Sequence, residues 1–408
     1  MDKTKMRQLG ADVEKELKDG ILEFWIKNTV DNENGGFYGY ISREMAVDGK
    51  HDRASVLYAR ILWTFSKAYG VFGEKKYLDM ATRAYNYLLE HFIDRDYSGV
   101  YWMLDYKGNV VSPKKQIYAV AFAIYGLSEY YRASGNKESL DRAVELFISL
   151  EKYAFDKVNK GYFEALDRDW SPLEDMSLSD KDMNTAKSMN THLHILEAYT
   201  NLLDVWDSDI LRQSLKELLR VIMDHIVDTR EGCFRLFFDE AWDSKSDIVS
   251  YGHDIEGSWL LYEAAEKLGC AALLDEVRSI AVKMAQRVYI RGFDREFGGI
   301  YNEAGHDAEH DSCKDWWPQA EAVVGFLNAY ELTGSGHFMN AAFETWSFID
   351  SHIIDKVNGE WFWGVSRDGK TLLDGEKAGP WKCPYHNSRM CFELMKRLKG
   401  LQEKENAK

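Results

Sequence analysis

A glycine followed by alternating aromatic residues recurs along the chain at a nearly constant spacing. The six segments are GGFYGY from Gly35, SGVYWML from Ser98, KGYFEAL from Lys160, EGCFRLFF from Glu231, FGGIYNE from Phe297 and NGEWFWGV from Asn358. The intervals between their anchoring glycines are 63, 62, 71, 67 and 60 residues, counted along Gly36, Gly99, Gly161, Gly232, Gly299 and Gly359. A fixed period is the signature of a repeat architecture. Because glycine before alternating aromatics is typical of a turn and a strand, each unit is predicted to carry a short β-hairpin arm.

Two kinds of helical pattern flank each segment. The pattern before it is apolar on one face only, which places a helix on an outer wall. These outer patterns are Met6–Trp25, Tyr77–Phe92, Leu140–Tyr153, Ile210–Ile226, Leu273–Tyr289 and Phe338–Ile353. The pattern after it is apolar nearly all round, which buries a helix on every side. These inner patterns begin near Tyr58, Tyr118, Asn190, His253, Trp317 and Pro384.

Six inner and six outer helices in alternation predict an all-α fold, an (α/α)6 barrel with short β-hairpin arms. No linker rich in proline, glycine or serine interrupts the period, and the whole chain has only five prolines. We therefore predict a single domain spanning residues 1–408.

Composition excludes several classes of partner. The net charge is −16 and the chain has no basic cluster, so nucleic acid and anionic membranes are poor partners. No window approaches the roughly 20 apolar residues of a membrane span, and the N-terminal MDKTKMRQLG lacks the apolar run of a signal peptide. The five cysteines form no CxxC pair, which favours free thiols in a reducing compartment. We predict a cytoplasmic monomer that binds a small molecule.

Polar residues interrupt the inner patterns at one place in each unit, the start of the helix. They are Arg60, Tyr118, Asn190, His194, His253, Glu256, Trp317, Glu321, Trp381 and His386. Parallel inner helices open at the same end of a barrel, so these residues are predicted to meet in one central pocket. In YGHDIEGSWLL, His253, Glu256 and Trp259 follow one another at intervals of three and share a helix face.

The helix starts also favour uncharged histidines. Asn190 and Ser250 are predicted N-caps, and Pro384 suits the first helical position. The first turns of a helix lie at the positive end of the macrodipole, where an imidazole is expected to stay neutral and able to accept a proton.

Other kinds of site have weaker support. His192 and His194 form an HxH pair, but residues two apart on a helix point to different sides, and no nearby carboxylate completes a metal site. The chain has no GxGxxG, GxxxxGK[ST] or GxSxG motif. We predict no metal and no cofactor. Glu321 is compatible with a structural role as well as a role in the pocket, as an acid that pairs with Arg60 or another buried cation.

Four stretches resemble motifs of the disaccharide-converting members of the N-acylglucosamine 2-epimerase family. They are YGHDIEGSWLL, MNTHLHILEAYTNL, WWPQAEAVVGFLNAY and WKCPYHNSRMC. The match runs in register from the N-terminal helix to the last one. The resemblance implies an (α/α)6 barrel and cofactor-free inversion at C2 of the reducing-end glucose of β-1,4-linked disaccharides, such as cellobiose and lactose. The expected route is ring opening followed by proton transfer through a cis-enediolate.

The resemblance also implies roles for individual residues. The proton-transfer pair is His253 and His386, with His194 as a third pocket histidine. Groups that bind or polarise the sugar are Arg60, Asn190 and Glu256, of which Arg60 and Glu256 are counted with the catalytic set. Positions that match sugar-contacting residues are Tyr118, Trp259, Trp317, Glu321 and Trp381, together with Ser179 and Asp182 of the SLSDKDMN loop.

Three alternatives remain open from the sequence. A monosaccharide 2-epimerase or an aldose–ketose isomerase could use the same barrel and histidines. An inverting glycosidase needs two carboxylates about 6.5–9.5 Å apart, which Glu256 and Glu321 could supply, although three pocket histidines would then have no role. A non-catalytic sugar-binding or protein-binding role is the third alternative.

Overall fold

In a computed structural model of the protein, residues 3–179, 182–305 and 310–406 are described. Within these residues, six inner helices form a ring in which each packs against the next and the sixth packs against the first. In chain order they are Ser55–Phe72, Ile117–Ser134, Met189–Leu203, Tyr251–Leu268, Trp316–Thr333 and Tyr385–Asn406. The closed ring confirms the predicted (α/α)6 barrel. No described helix has both the length and the apolar character that crossing a membrane requires.

Six outer helices surround this ring within the described residues. The first consists of Lys3–Lys15, Glu16–Leu22 and Glu23–Asn28, and it packs against the sixth inner helix. The others are Lys75–Tyr87, Lys137–Ser149, Asp209–Val221, Ala271–Arg287 and Gly336–Phe348. Each of these packs against the inner helix that precedes it in the chain. The buried face of Asp209–Val221 is a leucine stripe, as its one-sided pattern predicts.

A π-helical turn lies within the first outer helix and directly follows each of the other five. These turns are Glu16–Leu22, Leu88–Phe92, Leu150–Ala154, Ile222–Ile226, Val288–Gly292 and Ile349–Ile353. In the second unit, for example, the amide of Ile93 donates to the carbonyl of Leu88, five residues earlier, at 3.1 Å. In five of the units this wider turn ends the helix and leads directly into the glycine-aromatic hairpin.

The short strands link neighbouring units around the barrel. The two residues that directly precede each of the first five inner helices form a short strand. This strand pairs antiparallel with the strand that follows the anchoring glycine of the next unit. These pairs are Arg53–Ala54 with Met103–Leu104, Lys115–Gln116 with Ala165–Leu166, Lys187–Ser188 with Phe237–Phe238, Val249–Ser250 with Glu303–Ala304, and Lys314–Asp315 with Gly364–Val365. Four further described strands extend or close these hairpins, namely Val110–Ser112, His310–Asp311 and the pair Val227–Asp228 with Cys233–Phe234. A single bridge between Ile41 and Ala378 joins the last unit to the first.

A buried ion pair holds most of these hairpins to the inner helix starts. In the third unit, Lys187 Nζ lies 2.8 Å from Asp156 Oδ2, and both side chains are almost fully buried. Corresponding pairs are Asp31 with Arg53, Asp94 with Lys115, Asp294 with Lys314 and Asp355 with Lys377. The strands and ion pairs together fix where the inner helices begin.

The helix starts differ from the prediction in their caps. Ser188, and not Asn190, caps the third inner helix, because its hydroxyl accepts the Thr191 amide at 3.1 Å. Ser250 does precede the fourth inner helix, but its hydroxyl contacts the His253 ring and makes no capping bond.

Candidate active site

A cavity of about 410 Å³ opens at the end of the barrel where the inner helices begin. Eleven of the predicted site residues line it, which are Arg60, Tyr118, Ser179, Asp182, Asn190, His194, His253, Glu256, Trp317, Trp381 and His386. Trp259 and Glu321 do not line the cavity and lie beneath it. The side chains that line it come from all six inner helix starts, from the loop that carries Ser179 and Asp182, and from the segments that carry Trp363 and Trp381.

Two of the cavity histidines flank the Trp317 ring. The ring centroid of His253 lies 4.6 Å from that of Trp317, and the centroid of His386 lies 5.6 Å from it. Each Nδ1 has a fixed partner, which is the Ser250 hydroxyl at 2.9 Å for His253 and Glu321 Oε1 at 2.8 Å for His386. Because Nδ1 is engaged in both rings, Nε2 is the nitrogen available to a ligand.

Burial keeps both of these rings neutral. It lowers the pKa of His253 to about 3, with His194 adding a smaller effect. Burial also holds the pKa of His386 well below its usual value, and the positive charges of Arg389 and Arg60 act in the same direction. The neutral state expected from the helix starts is therefore present, but desolvation is its largest cause.

Two glutamates share a buried arginine beneath the cavity. Arg389 bonds to Glu256 Oε1, and its Nη2 lies 2.7 Å from Glu321 Oε1. Burial, followed by the charge of Glu321, raises the pKa of Glu256 to about 7, and its Oε2 has no described hydrogen-bond partner. Glu321 also accepts the Trp259 indole N–H at 3.1 Å. Glu321 is therefore a buried structural acid, and its cationic partner is Arg389 rather than Arg60.

Arg60 is a buried cation for which no described carboxylate lies within ion-pair distance. Its Nη2 donates to the Tyr118 hydroxyl at 2.5 Å, and its Nη1 lies 3.8 Å from Cys383 Sγ. Its guanidinium stacks over the rings of Phe122 and Tyr385, at 4.2 and 4.9 Å from their centroids. A desolvated guanidinium without a counter-ion can stabilise negative charge that develops on a ligand.

The loop before the third inner helix covers part of the cavity. Ser179 donates to Asp182 at 2.5 Å, and both line the opening. The Lys114 ammonium anchors the loop through the carbonyl of Ser177 at 2.9 Å. The two residues between Ser179 and Asp182 lie outside the described part of the chain.

A sequence profile of the N-acylglucosamine 2-epimerase (GlcNAc 2-epimerase) family matches residues 36–389. The chain belongs to this family. A cellobiose 2-epimerase of Bacteroides fragilis is 46% identical over 387 residues, which cover 95% of this chain and 98% of that protein. A cellobiose 2-epimerase of Ruminococcus albus is 41% identical over 388 residues, with the same coverage. The solved structure of cellobiose 2-epimerase from Bacillus thermoamylovorans matches with a TM-score of 0.91 and 37% identity, over 96% of this chain and 100% of that one.

These matches confirm the family that the four motifs indicate, and the protein is a carbohydrate epimerase. The sequence interpretation missed one buried charged residue beneath the cavity. Arg389 is 2% exposed and contacts Glu197, Glu256 and Glu321. A signal was available, because Arg389 follows His386 by three residues, the same spacing that places Glu256 on the face of His253.

The position of Arg389 bears on metal binding. Glu256, Glu321 and His386 offer ligand atoms within 4.8 Å of one another, a spacing that a metal ion could use. The Arg389 guanidinium bonds to both carboxylates and supplies the positive charge between them. Arg389 therefore already provides these two carboxylates with the positive charge that a metal ion would supply.

The epimerase cavity also contains aromatic residues that were not predicted to line it. Trp316 and Trp363 lie in its wall with their ring centroids 4.6 Å apart. Trp316 lines the cavity beside the predicted Trp317. Trp363 belongs to the sixth hairpin, and the pairing of Lys314–Asp315 with Gly364–Val365 brings it to the cavity. Helix periodicity alone could not indicate a contribution from a hairpin.

Proposed function

We propose that this epimerase inverts C2 of the reducing-end glucose of β-1,4-linked disaccharides, such as cellobiose and lactose, without a metal or cofactor. The observation that carries the proposal is a pair of neutral histidines, His253 and His386, in one cavity that also holds an arginine with no carboxylate partner among the described residues. The names of its relatives support the same substrate class.

Inversion requires two proton-transfer groups. Once the sugar ring is open, one histidine Nε2 takes the proton from C2, and the electron pair forms the C1–C2 double bond of an enediolate. The negative charge of the enediolate then favours uptake of a solvent proton by the other histidine, which delivers it to C2 from the opposite face, while the first histidine releases its proton to solvent. Losing either group would remove a contribution of about 10²–10⁴-fold.

Arg60 is suited to the intermediate rather than to the neutral sugar. The enediolate carries negative charge on its oxygens, and Arg60 offers a buried guanidinium that no described carboxylate neutralises. A charge placed in advance where negative charge develops stabilises the transition state more than the ground state. Arg60 is therefore assigned to the enediolate oxygens.

Two cavity residues have buried oxygen atoms with no partner among the described residues, Glu256 Oε2 and Asn190 Oδ1. An unsatisfied buried acceptor costs free energy, and a ligand donor can recover it. Sugar hydroxyls are suitable donors. With a pKa of about 7, Glu256 can also exchange a proton with a hydroxyl near neutral pH.

The aromatic wall favours a disaccharide over a single ring. Trp316, Trp317, Trp363, Trp381 and Tyr118 all line the cavity. Flat aromatic faces stack on the apolar faces of sugar rings, and one ring could not cover five of them. The second sugar is assigned to the tryptophans nearer the opening.

The glycosidase alternative fits the geometry less well. Ligand oxygens of Glu256 and Glu321 lie within 4.8 Å of each other, less than the separation of about 6.5–9.5 Å that an inverting pair needs. Glu321 also points away from the cavity, towards Trp259 and Arg389.

The test is incubation of cellobiose with the enzyme in D₂O, with the products analysed by NMR. We expect glucosyl-mannose with deuterium at C2 and an intact glycosidic bond. Release of glucose would support the glycosidase, and reaction of free monosaccharides alone would support the monosaccharide epimerase. Activity that is lost on dialysis against EDTA and restored by a divalent metal would contradict the metal-free proposal.

A further inference from the structure

The third cavity histidine, His194, has a carboxylate behind it that the proposed proton transfer at C2 does not use. His194 lines the cavity, and Glu197 follows it by three residues on the third inner helix. The His194 Nδ1 lies 3.0 Å from Glu197 Oε2. Glu197 does not line this cavity. It lines a second cavity of about 430 Å³, which Arg389 also lines, so Glu197 can affect a bound sugar only through the residues that it contacts, of which His194 lines the sugar cavity.

Glu197 is an ionised acceptor in this position. Burial acts to raise its pKa, but Arg389, His194 and Tyr385 outweigh that effect and lower the pKa to about 2. The Tyr385 hydroxyl donates to its Oε1 at 2.5 Å, and Arg389 donates to the same oxygen. A carboxylate with this charge and these donors is held firmly in one orientation.

The ionised carboxylate determines the tautomer of His194. Because a carboxylate only accepts hydrogen bonds, His194 Nδ1 must carry the hydrogen, and Nε2 is the atom with the free lone pair. When Nε2 takes up a proton, the positive charge forms 3.0 Å from the Glu197 carboxylate. His253 has no such compensation, because its Nδ1 partner is the Ser250 hydroxyl.

We propose that Glu197 is a positioning residue for opening of the sugar ring, a role that rests on the proposed function. It holds His194 so that Nε2 accepts the O1 proton of the cyclic sugar. As the C1–O1 double bond forms, the C1–O5 bond breaks, and O5 takes the same proton back from Nε2. The step consumes no other reactant and leaves His253 and His386 free for C2.

The test compares wild type with Glu197→Gln on cellobiose carrying hydrogen or deuterium at C2 of the reducing glucose. The amide lacks the negative charge and can also present an N–H to Nδ1, so ring opening should slow selectively. We expect kcat to fall by about 10²-fold and the C2 isotope effect on kcat to fall below the wild-type value. An unchanged kcat, or a reduced kcat with an equal or larger isotope effect, would overturn the proposal.

Glu151→Gln is the matched control. Like Glu197, Glu151 accepts hydrogen bonds from tyrosine, here the hydroxyls of Tyr162 at 2.5 Å and Tyr199 at 2.7 Å, but it bonds to no cavity histidine. We expect it to keep the wild-type kcat and isotope effect.

A folding defect and a wrong substrate assignment are separated by two further measurements. If thermal unfolding shows that Glu197→Gln is not folded, Glu197→Asp takes its place in the test. Aspartate keeps the negative charge, so we expect kcat and the C2 isotope effect to fall less than the amounts expected for Glu197→Gln. Failure of the wild type to epimerise cellobiose would instead reject the proposed function.

Discussion

At the residue scale, His253 and His386 carry the prediction that most directly tests the proposed chemistry. We expect His253→Asn and His386→Asn each to lower kcat on cellobiose by at least about 10²-fold, because each removes the group on one face of C2. Initial rates with purified protein, together with circular dichroism, would measure this.

His192→Asn is the control for the two catalytic substitutions. His192 is fully buried two residues before His194, but its ring bonds to the Tyr162 amide and the Ser188 carbonyl, outside the cavity. We expect it to lower stability while the folded enzyme keeps its kcat. If either His253→Asn or His386→Asn retained more than about a tenth of the wild-type rate, the two-histidine assignment would be contradicted.

The protonation state of the same histidines is a second prediction. With a folded pKa of about 3, His253 should remain neutral from pH 8 to about pH 5, and His386, whose pKa burial holds well below its usual value, should not titrate near pH 6.5. Nitrogen-15 NMR of histidine-labelled protein would measure this, and a ring that titrates near pH 6.5 would refute it. In the unfolded chain each ring binds a proton near 6.5, so these groups lower stability as pH falls from there towards their folded pKa values.

Residue identities at the site were largely predictable, but their partners were not. The helix-start pattern identifies Arg60, Asn190 and His386 because a polar residue in an otherwise apolar, buried helix indicates a structural or functional role. It does not indicate that Arg389 joins carboxylates from three other helices, since the relative rotation of packed helices is a property of the assembled ring. The sequence therefore indicates which groups face inward and leaves open which groups they contact.

At the element scale, the helices were predicted well and the connections less so. The apolar period locates all twelve helices, because burial on one face or on every side gives distinct patterns. A π turn adds one residue to a helix end, too small a change for the pattern to register. The paired strands are mostly two residues long, so their lateral partners depend on the closed ring. Ser188 caps its helix in place of Asn190 because the strand Lys187–Ser188 runs directly into it.

The buried ion pairs between hairpin and helix start lead to the third prediction. Lys187 Nζ bonds to Asp156 and to the carbonyls of Lys160 and Glu240, at 2.7–2.9 Å. Lys187→Met leaves a buried carboxylate and two carbonyls unpaired, so we expect a loss of about 3–5 kcal/mol in the free energy of unfolding. Urea unfolding would measure it.

Lys75→Met is the matched control for this loss. Lys75 pairs with Asp79 on an exposed helix face, where removal of the pair should cost less than about 1 kcal/mol. Equal losses for the two variants would show that the buried pair does not hold the hairpin to the helix start.

At the scale of the whole molecule, the repeat predicts a closed ring but does not show where the ring closes. The first outer helix packs against the sixth inner helix, so the two ends of the described chain meet. The hydrogen bonds that join this seam include those from the Trp25 indole to Glu360 at 2.7 Å and from the Trp361 indole to Glu16 at 3.0 Å. A single domain over 1–408, a monomeric state and a cytoplasmic location stay predictions.

The seam gives the last prediction, which uses circular permutation. Joining the two ends by a flexible linker and opening the chain between Gly73 and Glu74 keeps every packing contact of the ring. Both residues are exposed, just after the first inner helix and away from the cavity. We expect this permutant to unfold cooperatively and to keep kcat within a few-fold of wild type. Opening the chain between Lys187 and Ser188 instead cuts the junction that positions the third inner helix, so we expect kcat to be lost. Equal activity of the two permutants, measured on cellobiose at matched folded concentration, would show that the strand-to-helix junctions do not position the site.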